Sequence, residues 1–226
     1  MKKISGGFLI AIEGIDGAGK TTQVIQLKQR LEVLGFDIVT FKEPTNLKYS
    51  KIFRNMAMHN NVHFRDPEKE SNLFIEDRKI DVKKNIKPNL KKGKIVIMDR
   101  YYYSNMAYQG ALGLDPEIIK EKNEKIAPIP NVAFILDVSP EVGINRIINK
   151  RGDKINNYER KSYLKKVRTY FKNMTKYPNV ELIDGNSKRT IKEVADDIFN
   201  VVEKILGLQF NEDKIKNNEI SILEYH

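Results

Sequence analysis

The sequence predicts an α/β protein: a doubly wound, five-stranded parallel sheet flanked by helices. Strand-like apolar runs recur at Phe8 to Ile12, Ile38 to Phe41, Ile95 to Met98, Val132 to Leu136 and Val180 to Ile183. Longer amphipathic stretches separate them, as crossovers that pack helices on both faces of a buried sheet require. The first run ends in a glycine-rich loop, and a helical pattern through Val24, Leu27, Leu31 and Leu34 follows it.

That loop, Gly14-Ile15-Asp16-Gly17-Ala18-Gly19-Lys20-Thr21, fits G-x-x-x-x-G-K-[ST] at every fixed position. Its glycines let backbone N–H groups turn inward, and the positive end of the next helix faces the same point. Lys20 supplies a point charge for β- and γ-phosphates, and the Thr21 hydroxyl is the expected magnesium ligand. The loop therefore predicts a nucleoside triphosphate site.

Ligands in such sheets lie beyond the carboxyl ends of the strands, so the residues after each later run matter. Run two leads into Lys42-Glu43-Pro44, run three into Asp99-Arg100-Tyr101 and run four into Asp137. Asp99 at a strand end can reach a magnesium held by the loop. Arg100 adds a second phosphate binder where a nucleotide hydrolase usually has a base or water-positioning group, which suggests a second phosphorylated substrate.

The 226 residues, 40% of them apolar, suffice for one large domain, placed at residues 1–206, with a tail of open role at 207–226. Lacking cysteine, the chain has neither disulfides nor thiolate chemistry, and His59, His63 and His226 form no zinc pattern. Basic and acidic residues interleave, as in Glu117-Ile118-Ile119-Lys120-Glu121-Lys122, so the net charge of +10 reads as solvated surface and no nucleic-acid partner is predicted. Neither a membrane span nor a secretory signal is visible, and a cytoplasmic location is expected.

Asp99-Arg100-Tyr101, Ser104 and Ala107-Tyr108-Gln109-Gly110 together resemble the signature of thymidylate kinases. Phe8 to Gln23, Phe74-Ile75-Glu76-Asp77-Arg78 and Glu43-Pro44 resemble that family's opening, base-binding helix and acceptor loop, in the same order over approximately residues 8 to 206. The resemblance implies transfer of the ATP γ-phosphate to dTMP, giving dTDP and ADP, with magnesium and in a homodimer. ATP would lie on Gly14, Asp16, Gly17, Ala18, Gly19, Lys20, Thr21 and Thr22. Phe74 would stack on thymine and Arg78 would bond its carbonyl edge, with Asn105 and Gln109 on the opposite side and Ser104 in the same site. Tyr108 would lie under the sugar and disfavour a 2′-hydroxyl. Arg100 and Arg54 would grip the acceptor phosphate beside Glu43 and Pro44. Asp16 would join Thr21 and Asp99 around the metal, or place the acceptor.

Two departures stand out: Lys42 replaces the family's usual arginine before Glu-Pro, and Thr45-Asn46-Leu47 replaces a small Gly-Gly pair. Small residues at Gly17 and Ala18 imply that the basic group acting on the transferred phosphate comes from a lid, Asn149 to Asn157, with Arg151 as best match and Arg146 and Lys150 as alternatives. Asn149-Lys150-Arg151-Gly152-Asp153 also approaches the guanine-reading N-K-x-D of GTP switches, but its aspartate comes one residue late. A different acceptor, such as another pyrimidine deoxynucleotide or a deoxynucleoside, is the closer rival.

Overall fold

A computed structural model describes residues 1–46, 48–49, 51–52, 66–151, 160–186 and 188–207, with the backbone alone at 150 and 151. Its sheet contains the five expected strands, β1 (Phe8–Gly14), β2 (Ile38–Lys42), β3 (Ile95–Asp99), β4 (Val132–Asp137) and β5 (Val180–Asp184), all parallel in the order β2-β3-β1-β4-β5. Every residue of β1 and β3 is buried, which is why those segments read as unbroken apolar runs. The edge strands β2 and β5 bury only one or two residues fully, and both carry polar residues.

Helix α1 (Lys20–Val33) springs directly from the glycine-rich loop and buries Val24, Leu27 and Leu31. It lies beside α8 (Ile191–Leu206), held by Gln23 Nε2 to the Ile191 carbonyl at 3.1 Å and Arg30 to Asp196 at 2.7 Å. A capping box between Thr190 and Glu193 starts α8 by satisfying otherwise orphaned N–H groups.

Between β2 and β3 the chain forms α2 (Pro67–Asp81), a π turn (Val82–Ile86) and α3 (Lys87–Lys91). Asp66 caps α2 by accepting from the Lys69 N–H at 2.9 Å, and Pro67 occupies the first turn, where its missing donor costs nothing. The π turn immediately precedes Pro88, which has no N–H to continue the ladder, and the Lys87 N–H reaches back to the Val82 carbonyl.

Helix α4 (Tyr102–Gly110) follows β3 and packs against α2, α5 (Pro116–Glu124) and α7 (Lys161–Asn173). Helix α6 (Pro140–Arg151) follows β4 and runs three residues beyond the Ile148 end expected from sequence. Asn149, Lys150 and Arg151 all tolerate helix, and the first strong breaker is Gly152. Among the described residues no helix is long and apolar enough to cross a membrane.

Helix α6 also constrains the phosphate loop. A Cβ on Gly17, whose φ is +77°, would sit 2.1 Å from the Gly143 carbonyl oxygen, and one on Gly143 would sit 2.6 Å from the Asp16 oxygen. Both obstacles are backbone, so neither contact relaxes cheaply. Gly143→Ala is therefore expected to weaken ATP binding at least tenfold, although residue 143 carries no side chain to bind it; isothermal titration with a non-hydrolysable ATP analogue checks this.

Candidate active site

Strand β1 delivers the phosphate loop to the carboxyl edge of the sheet, and β3 delivers Asp99-Arg100 beside it. Lys20 curls back over the loop, its Nζ donating to the Gly14 carbonyl at 3.1 Å and the Ile15 carbonyl at 2.7 Å. Arg100 Nη1 donates to the same Gly14 oxygen at 3.2 Å. Two cations, one at the start of α1 and one just past β3, thus converge on one carbonyl.

Arg100 is held in the left-handed region, at φ 73°, an uncommon conformation for a residue with a Cβ. Its side chain is bound on several sides: Nη1 donates to Ser104 Oγ at 2.9 Å, Nη2 to Asp16 Oδ1 at 2.6 Å, and the guanidinium lies over the Tyr108 ring. The Tyr108 hydroxyl accepts from the Asp16 N–H and donates to Asp16 Oδ2 at 2.9 Å. Asp16 is thereby taken up by Arg100 and Tyr108.

Glu13, fully buried at the end of β1, secures the turn that carries Arg100. Its Oε1 accepts from the Tyr101 N–H at 2.7 Å and the Ser104 N–H at 3.3 Å, and its Oε2 accepts from Ser104 Oγ at 2.5 Å. It caps the first turn of α4 from another strand, while burial pushes its own carboxyl pKa up. The sequence reading missed this residue, although a carboxylate closing an apolar strand was a usable signal.

Thr21 Oγ1 donates to Asp99 Oδ2 at 2.5 Å, and Asp99 Oδ1 is buried with no hydrogen-bond partner. Among the described residues no three His, Cys, Asp or Glu side chains cluster as a metal cage. A hydroxyl, a carboxylate and an orphaned buried oxygen beside a phosphate loop fit magnesium, which takes few protein ligands and completes its shell with water and phosphate. Lys42, aligned with Asp99 across the β2–β3 ladder, places Nζ 3.3 Å from Asp99 Oδ2.

The expected base pocket is lined by a buried polar network. Arg78, only 2% exposed, donates through Nε to Glu43 at 2.9 Å and through Nη2 to the same carboxylate, and through Nη1 to Asn123 Oδ1. Residues expected to act separately, Arg78 on the base and Glu43 in the acceptor loop, are therefore joined in one ion pair. Burial pushes the Glu43 carboxyl up to about 7 while Arg78 pulls it down. Asn123 continues to Asn105, Asn105 to Ser71 and Gln109, and Gln109 to Glu70. Asp77 accepts from the N–H and hydroxyl of Thr45, tying the segment after the Glu43-Pro44 cis peptide to α2. Phe74 is half-buried on α2. Asn123, Glu70 and Asp77 were not read from sequence, since nothing local marks a buried helical polar residue.

Arg146 spans from the Gly17 carbonyl at 3.4 Å to the Gly185 carbonyl at 3.0 Å, across the phosphate loop and the turn after β5. Arg54, residues 152–157 of the lid and the side chains of Lys150 and Arg151 lie outside the described residues.

A parallel sheet with a phosphate loop at β1 and an arginine turned back onto that loop from the end of β3 is the arrangement of a phosphotransferase of the nucleoside monophosphate kinase class. A family model described as thymidylate kinase matches residues 12–198. A probable thymidylate kinase of Archaeoglobus fulgidus is 41% identical over 203 residues, covering 90% of this chain and 98% of that protein. Thymidylate kinases of Desulfotalea psychrophila and Brachyspira hyodysenteriae are 40% and 35% identical, each over 89% of this chain and 97% of their own length. The chain belongs to the thymidylate kinase family.

Two outcomes follow from the site's electrostatics. Burial, followed by the charge of Arg100, lowers the Lys20 pKa to about 7, whereas bound phosphates favour its charged form. Between pH 7 and the ordinary lysine range, ATP binding should therefore take up a proton; calorimetry at pH 8 in buffers of different ionisation enthalpy should show uptake approaching one, fading toward pH 6. Arg78→Met should cost about 3–5 kcal/mol in urea unfolding by stranding Glu43, and Arg78→Met/Glu43→Leu should recover much of it.

Proposed function

We infer that this enzyme transfers the γ-phosphate of ATP to the phosphate of dTMP, producing dTDP and ADP, and that the residues described above divide the work as follows. The convergence of Lys20 and Arg100 on the Gly14 carbonyl carries the reading, because it sets a donor-phosphate cation and an acceptor-phosphate cation side by side. Lys20 and the loop N–H groups hold the β- and γ-phosphates of ATP, with Thr22 at the start of α1. Arg100, whose planar fork suits bidentate phosphate binding, aligns the dTMP phosphate. Thr21 and Asp99 would hold magnesium, which supplies neutralisation of the phosphate charge.

The acceptor is already anionic near neutral pH, so no general base is needed, and rate enhancement comes from alignment and charge. Glu13 keeps Arg100 aimed, and Tyr108 and Asp16 lie where they can sense the deoxyribose. Phe74, Asn105, Gln109 and Arg78 surround the base, and Asn123 orients Arg78. Arg151, with Arg54, would complete the positive charge from the lid and the acceptor loop. We place the enzyme in the cytoplasm as a homodimer, with no nucleic-acid partner.

A coupled ADP-release assay with ATP and magnesium should show clear preference for dTMP over dUMP, dCMP, UMP and thymidine. Equal turnover of dCMP would discard the base-site assignment while leaving the kinase intact. Arg100→Ala should lower kcat/KM for dTMP by roughly 10²–10³-fold without unfolding the protein, as loss of one preorganised phosphate contact does.

A further inference from the structure

Among the described residues, Lys42 is the basic residue whose side chain meets both Thr21 and Asp99, the groups assigned to the metal. Its Nζ lies 3.3 Å from Asp99 Oδ2 and 3.4 Å from Thr21 Oγ1. The parallel register sets Lys42 opposite Asp99, so the contact is built into the sheet. The next residue strengthens it, because the Glu43 N–H donates to the Asp99 carbonyl at 3.0 Å. The lysine side chain is 62% exposed, whereas that of Asp99 is 5% exposed, so the ammonium can leave and the carboxylate cannot.

We propose that Lys42 is a displaceable counter-ion of the metal locus: its ammonium and a divalent cation occupy the Thr21–Asp99 pair in turn. Asp99 Oδ1 has no partner and stays available to the metal, while Oδ2 is shared between Thr21 and Lys42. An ammonium and a divalent ion on one carboxylate repel each other, so entry of the metal drives Lys42 off toward solvent. Without metal, the same ammonium lends positive charge to the phosphate site. An arginine here would hold Asp99 through a wider, planar fork and yield it less readily than the slender, mobile lysine head. The inference rests on the assignment of magnesium to Thr21 and Asp99.

Lys42→Met separates these roles while leaving every residue of the phosphate loop in place. Binding of a non-hydrolysable ATP analogue is measured by calorimetry with excess EDTA and with saturating magnesium, in wild type, Lys42→Met, Lys42→Arg and Asp99→Asn. In Lys42→Met, binding without metal should weaken and binding with magnesium should hold or tighten, raising the metal dependence about tenfold, within the usual range of coupling between sites. Lys42→Arg should stay near or below the wild-type metal dependence. Loss of affinity by the same factor in both conditions would show Lys42 to be a general phosphate attractor and overturn the proposal. Asp99→Asn tests the underlying assignment separately: if it leaves the metal dependence unchanged, the metal is held elsewhere and the proposal falls with that reading.

Discussion

The candidate active site depends on holding Lys20 and Arg100 against the same carbonyl. Two like charges at that separation repel, and burial raises the cost because water cannot screen them. The structure answers with carboxylates around the pair: Asp16 bonds Arg100 directly, Asp99 lies at the end of the neighbouring strand, and Glu13 sits beneath the turn. Among the described residues Lys20 makes no direct ion pair; it is buried and takes two backbone carbonyls, and burial lowers its pKa. In the proposed reaction the phosphates' negative charge offsets the repulsion between Lys20 and Arg100.

The fold supplies this arrangement through strand order. With β1 central, β3 on one side and β4 on the other, the loops after all three strands meet at one edge. Close backbone approach between Gly17 and Gly143 fits the phosphate loop against α6, and Arg146 adds a tie from α6 to both the loop and the turn after β5. The proposed acceptor side is built from α2, α4 and α5, whose inward polar residues form a continuous network that runs from Glu70 to Glu43 just past β2. Such a network is costly if half satisfied and stiff when satisfied, so it suits a pocket that must discriminate a pyrimidine by shape and hydrogen bonding.

Much of this was legible in the sequence. The strands were visible because burial on both faces leaves no polar alternation, and the phosphate loop because its chemistry needs glycines, lysine and threonine at fixed spacing. Arg100, Ser104, Asn105, Tyr108 and Gln109 were readable as a set because they lie within one turn and one helix. The partnership of Arg78 with Glu43 was not, because the two stand 35 residues apart. Glu13 was passed over just after an apolar run, and its role exists only where the turn after β3 crosses it.

The sequence by itself determined which chemistry was possible: a triphosphate loop, a second phosphate-binding arginine and an aspartate at a strand end. Local spacing suffices for that, since each motif acts through residues on one continuous stretch of backbone. Tertiary structure decided how those groups share their charges. It tied Asp16 to Arg100 and Tyr108, placed Lys42 on Asp99 and Thr21, and drew Arg78 into a buried ion pair. These partnerships depend on strand register and on the packing of helices distant in sequence, and their strength depends on burial, a property of the folded molecule alone.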